Sequence, residues 1–304
     1  MTRYLVEVPA SSGNLGSGFD ALGLALGLYD RVEVTPAAAV SVEVTGEGAA
    51  RLPRDATHLV ARATRATLDA LGCDLPGFTL RCVNAIPHSR GLGSSAAAAV
   101  AGVAAGYALA GVELDGTERA GRALQLAAAF EGHADNAGPS LLGGLVIAWT
   151  DDPDDPDAAG GAGGGFRAAR LDVHPAVRPV LLVPGSESST AHTRRLLPRD
   201  VPLADAAFTL GRAALVVHAL TAAPELLLPG TADRLHQPYR RAAYPATAAL
   251  VDALRAAGVP AAVSGAGPAV LALTCDDTLP AEVGTAGFAV RPLPVDERGV
   301  RIHG

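Results

Sequence analysis

Residues 87–97 read Pro-His-Ser-Arg-Gly-Leu-Gly-Ser-Ser-Ala-Ala. Gly91 and Gly93 leave out two side chains where a backbone has to approach something closely, and an alanine-rich stretch expected to be helical follows at once. Phe78–Val83, just before, alternates as a strand, so the local unit is strand, glycine loop, helix. Unpaired amide N–H groups and the positive end of a helix dipole converge at such a place, and it binds anions. Ser94 is placed to cap the helix, which frees the Ser95 hydroxyl for phosphate or Mg²⁺. A ligand-free turn also explains a bare G-x-G. The two serines and the alanine run behind them make this pattern longer than that.

Outward from this unit, Tyr4–Val8, Arg31–Val34 and Val40–Val44 read as strands. Leu59, Val60, Ala63, Leu68 and Leu71 recur near helical spacing until Gly72, and a further helix is expected from Thr117 to Glu131. Residues 151–165, DDPDDPDAAGGAGGG, combine acidic repulsion with Pro and Gly; they are expected to form a mobile surface loop at a domain junction, dividing the chain into 1–160 and 161–304. Beyond it, Val177–Val183 reads as a strand, Leu203–Ala222 and Thr247–Ala257 as helices, and Ala261–Thr274 as two strands around Ser264-Gly-Ala-Gly-Pro268. The fold class is therefore α+β, and no internal repeat is evident.

A chain of 304 residues suits two domains with a cleft between them. Its 49% hydrophobic content is globular, while 4% aromatics means a core of Ala, Val and Leu. The formal charge of -7, without any long run of like charge, argues against nucleic acid or an anionic membrane as partner. All 24 basic residues are Arg, which excludes a Walker P-loop, a protein-kinase site and a pyridoxal Schiff base. Cys73, Cys82 and Cys275 are widely spaced and show neither a disulfide framework nor a zinc site, and the N-terminus lacks a signal-peptide core, so a reducing, cytoplasmic compartment is expected. Ala96–Val112 is the one membrane candidate; it is shorter than the roughly 20 residues a span needs and reads as a buried helix.

Glu131 falls at the expected end of a helix, where the dipole disfavours a carboxylate, so a Mg²⁺ ligand is a more economical reading than a solvated charge. His133, Asp135 and Asn136 follow on a short loop before Gly143-Gly144, each able to meet phosphate, metal or alcohol.

Residues 87–97 resemble the nucleotide loop of the GHMP kinase family, P-x-x-x-G-L-G-S-S-A. Two further segments agree with it in order and spacing, Val8-Pro-Ala-Ser-Ser-Gly-Asn-Leu-Gly-Ser-Gly-Phe-Asp20 and Ser264-Gly-Ala-Gly-Pro268. Glu131-Gly-His-Ala-Asp-Asn136 and Asp233-Arg-Leu-His-Gln-Pro-Tyr-Arg240 resemble the branch of the family that acts on L-homoserine, and the resemblance covers nearly the whole chain. It implies an N-terminal ribosomal-protein-S5-like α/β domain, a C-terminal ferredoxin-like α+β domain, and ATP meeting an alcohol in the cleft between them. It also implies an ATP-dependent phosphotransferase with L-homoserine as acceptor, on the way to threonine, with Mg²⁺ as cofactor; dimers are common in the family.

Residue by residue, the resemblance assigns the nucleotide to Pro87, His88, Ser89, Arg90, Gly91, Leu92, Gly93, Ser94, Ser95, Ala96 and Ala97. Ser95 and Glu131 would hold Mg²⁺, and Glu131 and Asn136 would act in catalysis. Asn14, Asp20, His133, Asp135, Arg194 and Arg240 would bind the acceptor, with the arginine forks on a carboxylate and Asp20 near an ammonium. Asp135 is either a base or a scaffold, because phosphoryl transfer through a loose transition state calls mostly for positioning. A mevalonate- or sugar-type kinase of the same family, or a catalytically silent metabolite-binding member, are the alternatives. Gly13, Ser17, Ala137-Gly138 and Ala269 depart from the usual pattern, where Ala, Pro, a bulkier pair and a hydroxyl residue are common.

Overall fold

The computed structural model describes residues 2–152 and 165–304. The first half runs β1 (Tyr4–Gly13), β2 (Leu22–Ala37), β3 (Ser41–Gly46), α1 (Leu59–Ala70), β4 (Gly77–Asn84), α2 (Ser94–Leu109), α3 (Gly116–Ala128), α4 (Ala137–Leu142), β5 (Leu145–Thr150) and β6 (Phe166–Leu171). The second runs β7 (Arg178–Pro184), α5 (Thr190–Arg195), α6 (Leu203–Thr221), α7 (Leu227–Gly230), α8 (Gln237–Arg240), α9 (Pro245–Ala256), β8 (Ala261–Val263), β9 (Val270–Thr274), β10 (Phe288–Pro292) and β11 (Arg301–His303).

β1 and β2 pair antiparallel at the centre of the larger sheet, and Val6, Val8 and Ala10 alternate into the core. β2 is long enough to serve two neighbours: Leu22–Leu24 pairs with β5, and Arg31–Ala37 with β4. The sheet opens like a fork around the β1–β2 pair. The smaller sheet has the order β10-β7-β9-β8, antiparallel throughout, which is the ferredoxin-like order. α6 covers one face of it through Val216, Ala219 and Leu220, and α9 the other through Leu250, Val251 and Leu254. The two-domain α+β class is as expected.

The sheets do not divide at the acidic segment. That segment and the 160/161 boundary lie outside the described residues, but β6 beyond it pairs with β5 in the first sheet. The described sheets part between Leu171 and Arg178. The C-terminus then returns: β11 pairs with β1, and Gly27 N–H donates to Pro294 O at 2.8 Å. A single apolar cluster consequently runs from Val6 to Leu273 across both halves.

Two local expectations are corrected. Ser94 does not cap α2; Gly93, at φ 64°, takes the N-cap position and Ser94 becomes the first helical residue. The helix expected to reach Glu131 stops at Ala128, because the chain turns at Gly132 (φ 79°), whose N–H returns to Ala128 O. The membrane reading also shifts. Residues 96–108 of α2 are almost entirely buried, whereas α6 is the described helix long and apolar enough to span a membrane by length and composition. Of that span 22% is buried, chiefly through Val216, Ala219 and Leu220.

α2 must lie close to α1 for the glycine loop to sit where it does. A Cβ on Gly102 would come 2.4 Å from Val60 O and one on Gly106 2.5 Å from Thr67 Cβ, so the two axes approach nearer than side chains allow. Gly102→Val should therefore cost about 1 to 3 kcal/mol or more of stability through overpacking against backbone. Gly121→Ala, in α3 with nothing within 4 Å of the added carbon, should gain about 0.5 to 1 kcal/mol. Urea denaturation of the two variants checks both signs.

Candidate active site

Three loops far apart in sequence converge behind a cavity of about 790 Å³. Ser264 Oγ donates to Gly91 O at 2.6 Å and is hydrogen-bonded to Ser12 Oγ at 2.8 Å. Gly265 N–H donates to Gly13 O at 3.0 Å, and Ala269 N–H to Arg90 O at 3.2 Å. Gly91 makes this contact possible, since a Cβ there would sit 2.0 Å from Ser264 O. On Gly93 it would sit 2.1 Å from Ser11 Oγ, so this glycine is dictated by the neighbouring strand as well as by its φ.

Past Gly93 the first intrahelical bond of α2 is Ala97 N–H to Gly93 O at 2.8 Å, which leaves the preceding amides directed at the cavity mouth without a side-chain cap. His88, Ser89, Gly91, Leu92, Gly93, Ser94 and Ser95 line the cavity. Pro87, Arg90, Ala96 and Ala97 do not. Ala96 and Ala97 are core residues, and Arg90 is turned away, donating to His88 O, Pro184 O and Gly185 O.

Glu131 lies in the turn after α3 and lines the cavity together with Ser95. Burial pushes its carboxyl above the usual range, and Ser95 and His133 oppose that. His133 Nδ1 pairs with Asp135 Oδ1, and this hydrogen bond holds the imidazole above its ordinary pKa against the effect of burial. The Asp135 carboxylate backs onto Gly13, where a Cβ would come 2.5 Å from Oδ2 and 2.7 Å from Asn136 Nδ2. The departure to glycine at 13 thus makes room for this pair. Asn136 Oδ1 accepts from Ser11 Oγ at 3.2 Å.

At the far end of the cavity the 14–20 loop is held in an unfavourable backbone shape, with Asn14, Leu15 and Asp20 all at positive φ. Asn14 offsets this: its Oδ1 accepts from Asp20 N–H at 2.9 Å, and its Nδ2 donates to Gly265 O at 2.8 Å. Asp20 forms a two-pronged pair with Arg194, both bonds 2.8 Å, although the Arg194 side chain is 44% exposed. Arg240 is different. It is 2% exposed, and among the described residues it makes no ion pair; its Nε lacks a hydrogen-bond partner. Burial lowers its pKa accordingly.

The opposite end is lined by Val32, Leu52, Leu59 and Val60 with Asp30 and His58 among them. Sequence reading did not single out Asp30 or His58, nor Phe19 and His236 at the far end. Ser264 and His236 lay inside quoted motifs, and His58 just before a helix start; nothing local marks Asp30. Asp30 Oδ1 accepts from Ala85 N–H at 2.7 Å and Ile86 N–H at 2.9 Å, fixing the lead-in to the glycine loop.

Burial raises the Asp30 carboxyl from 3.8 to about 6. The folded state therefore holds this proton more tightly than the unfolded chain, and the stability due to Asp30 is lost as pH rises from about 4 through about 6, by on the order of 1 to 3 kcal/mol. Asp30→Asn keeps an oxygen for both amides and should lack that loss. Urea denaturation of both proteins from pH 4 to 8 should show the variant gaining on wild type between about pH 4 and 6 and holding that gain above it.

Comparison with known proteins agrees with this geometry. The description GHMP kinases N terminal domain matches residues 58–144, and GHMP kinases C terminal matches residues 209–287. The homoserine kinase of Corynebacterium aurimucosum is 52% identical over 273 residues, covering 90% of this chain and 86% of that protein. That of Rhodococcus erythropolis is 51% identical over 296 residues, covering 95% and 92%. The crystal structure of homoserine kinase from Cytophaga hutchinsonii superposes with a TM-score of 0.84 at 26% identity, over 100% of this chain and 98% of that one. With a glycine loop opening a buried helix against the larger sheet, and relatives this similar along nearly its whole length, the chain belongs to the GHMP kinase family.

Proposed function

We infer that this chain is a homoserine kinase, transferring the γ-phosphoryl group of ATP to the hydroxyl of L-homoserine. Relatives carrying that name are about half identical to it over most of its length, which supports the reaction class. The observation that carries the acceptor is Arg240. A buried guanidinium without a counter-ion is costly until an anion meets it. The α-carboxylate of homoserine is such an anion, and the planar fork suits it. Asp20 and Arg194, already paired, can exchange one another for the ammonium and the carboxylate of a zwitterion with no net loss of charge pairing. Mevalonate lacks the ammonium, and a sugar lacks both charges.

On this reading ATP lies with its base among Val32, Leu59 and Val60 and its phosphates at the uncapped start of α2. Ser95 and Glu131 fit Mg²⁺: both are hard oxygen donors lining the same cavity, and Mg²⁺ takes one or two protein ligands beside phosphates and water. Bound there, Mg²⁺ supplies neutralisation of phosphate charge. His133, whose pKa the hydrogen bond to Asp135 raises, stands beside it. Asp135 is spent on His133 and packed against Gly13, which favours a scaffold over a base. Asn136 is steadied by Ser11 at the same place. The product leads toward threonine, and the cytoplasm is the compartment this role requires.

An ADP-release assay against homoserine, mevalonate, galactose and shikimate tests the acceptor; turnover should be confined to homoserine, and preference for any other acceptor overturns the reading. Arg240→Leu removes a charge-assisted hydrogen-bonding partner worth about 1.5 to 3 kcal/mol, so kcat/KM for homoserine should fall roughly ten- to a hundredfold or more while ATP affinity holds. The ligand-free variant should be no less stable than wild type, because an unpaired buried charge has gone. Glu131→Gln keeps the shape and loses the charge. Calorimetry should show that the contribution of Mg²⁺ to ATP affinity weakens, and turnover should fall by about a hundredfold or more.

A further inference from the structure

His236 is fully buried, and the reaction as read above gives it no part. Its Nε2–H donates to Gly16 O at 2.7 Å, which places the ring proton on that nitrogen and leaves Nδ1 as an acceptor. Arg240 Nη1 donates to Nδ1 at 3.3 Å, one helical turn further along the chain. The imidazole also stacks on Phe19, with ring centroids 5.0 Å apart, and the Arg240 guanidinium lies 5.3 Å from the centre of the same ring. The turn that carries both residues is itself fixed. Asp233 accepts the amides of Leu235 at 2.7 Å, His236 at 3.2 Å and Gln237 at 2.8 Å.

We propose that His236 is a positioning residue for the acceptor carboxylate, tying the Arg240 guanidinium to the loop that carries Asn14 and Asp20. This rests on the reading in which Arg240 meets that carboxylate. Through one imidazole, Gly16 and Phe19 of the first half and Arg240 of the second are held in a single register. The separation between the partner of the ammonium and the partner of the carboxylate is then set before substrate arrives, which lowers the ordering cost of binding. The unpartnered Nε and the remaining N–H groups of Arg240 are left for the ligand. Only the neutral imidazole can serve. An imidazolium would lose its acceptor and set a second cation against Arg240; Asp233 Oδ2, 3.5 Å from Nε2, and Asp20 favour that form, but burial is the larger effect and holds the His236 pKa below its ordinary value.

The two nitrogens can be tested apart. In His236→Gln the amide nitrogen reaches the place of Nε2 and can still donate to Gly16 O, but nothing accepts from Arg240. In His236→Asn the amide oxygen takes the place of Nδ1 and can accept from Arg240, but the contact to Gly16 is lost. Wild-type enzyme should favour homoserine strongly over 3-aminopropan-1-ol, which lacks the carboxylate; equal use of both would overturn the carboxylate reading itself. Given that preference, His236→Gln should raise KM for homoserine about tenfold, with kcat and KM for ATP nearly unchanged, and should erase most of the preference. His236→Asn should retain most of it. In the Arg240→Leu background His236→Gln should add little, since both act on one contact. An unchanged KM for homoserine, equal damage to both substrates, or additive losses in the double variant overturn the proposal. Should the glutamine variant not fold, nitrogen NMR of the wild-type histidines decides: a neutral Nε2–H tautomer for His236 at pH 7 is required, and an imidazolium or the Nδ1–H tautomer overturns it.

Discussion

The hydrogen bond from Ser264 Oγ to Gly91 O, 2.6 Å long, closes the back of the cleft, and most of the site depends on it. It brings a loop of the second half against the glycine loop of the first at a distance that no side chain on residue 91 would permit. Gly265 can then donate to Gly13, and Asn14 to Gly265, so the strained 14–20 loop acquires partners for its polar groups. From that one junction α2 points outward with its first amides open, and Asp20, Arg194 and Arg240 face the same space.

Having only arginine as a strong cation, the chain differentiates identical side chains by what surrounds them. Arg90 donates to three backbone carbonyls, lies 3.6 Å from the Glu187 carboxylate, and braces the end of β7 against the loop. Arg194 is half exposed and already paired with Asp20, so its charge is available by exchange. Arg240 is buried, lacks a carboxylate, and leans on Phe19 and His236. Only this last environment leaves a large favourable energy for an incoming anion to release. The carboxylates show the same sorting. Glu131 is kept beside Ser95, Asp135 is spent on His133, and Asp30 is used on two backbone amides at the opposite end.

Features set by neighbours in the chain were legible from residues alone. Residues 87–97 could be read as loop and helix start because glycines at these spacings and an alanine run have few other conformations. α6 and α9 were placed within a few residues for the same reason. Two of the misreadings share one cause, that a distant contact outweighs a local preference. Ser94 is a good capping residue, yet Gly93 next to Ser11 is pulled left-handed and takes the cap position. The helix before Glu131 has no breaker until Gly132, so its earlier end at Ala128 was not visible. β6 joins the first sheet through pairing with β5, a matter of register that an acidic spacer does not report.

By itself the sequence determined the class of the protein and the chemistry it can offer: a glycine loop opening a helix, no lysine, and a short list of carboxylates and arginines at family-like positions. What only the tertiary structure decided is which of those side chains are unspent. Arg90 and Arg240 look alike as residues, and whether a guanidinium meets carbonyls, a carboxylate or only an imidazole depends on how strands and loops far apart in sequence pack. Desolvation and hydrogen-bond geometry are properties of packed neighbours and not of composition, so the binding site could be named from the chain but its charges could be assigned only once it was folded.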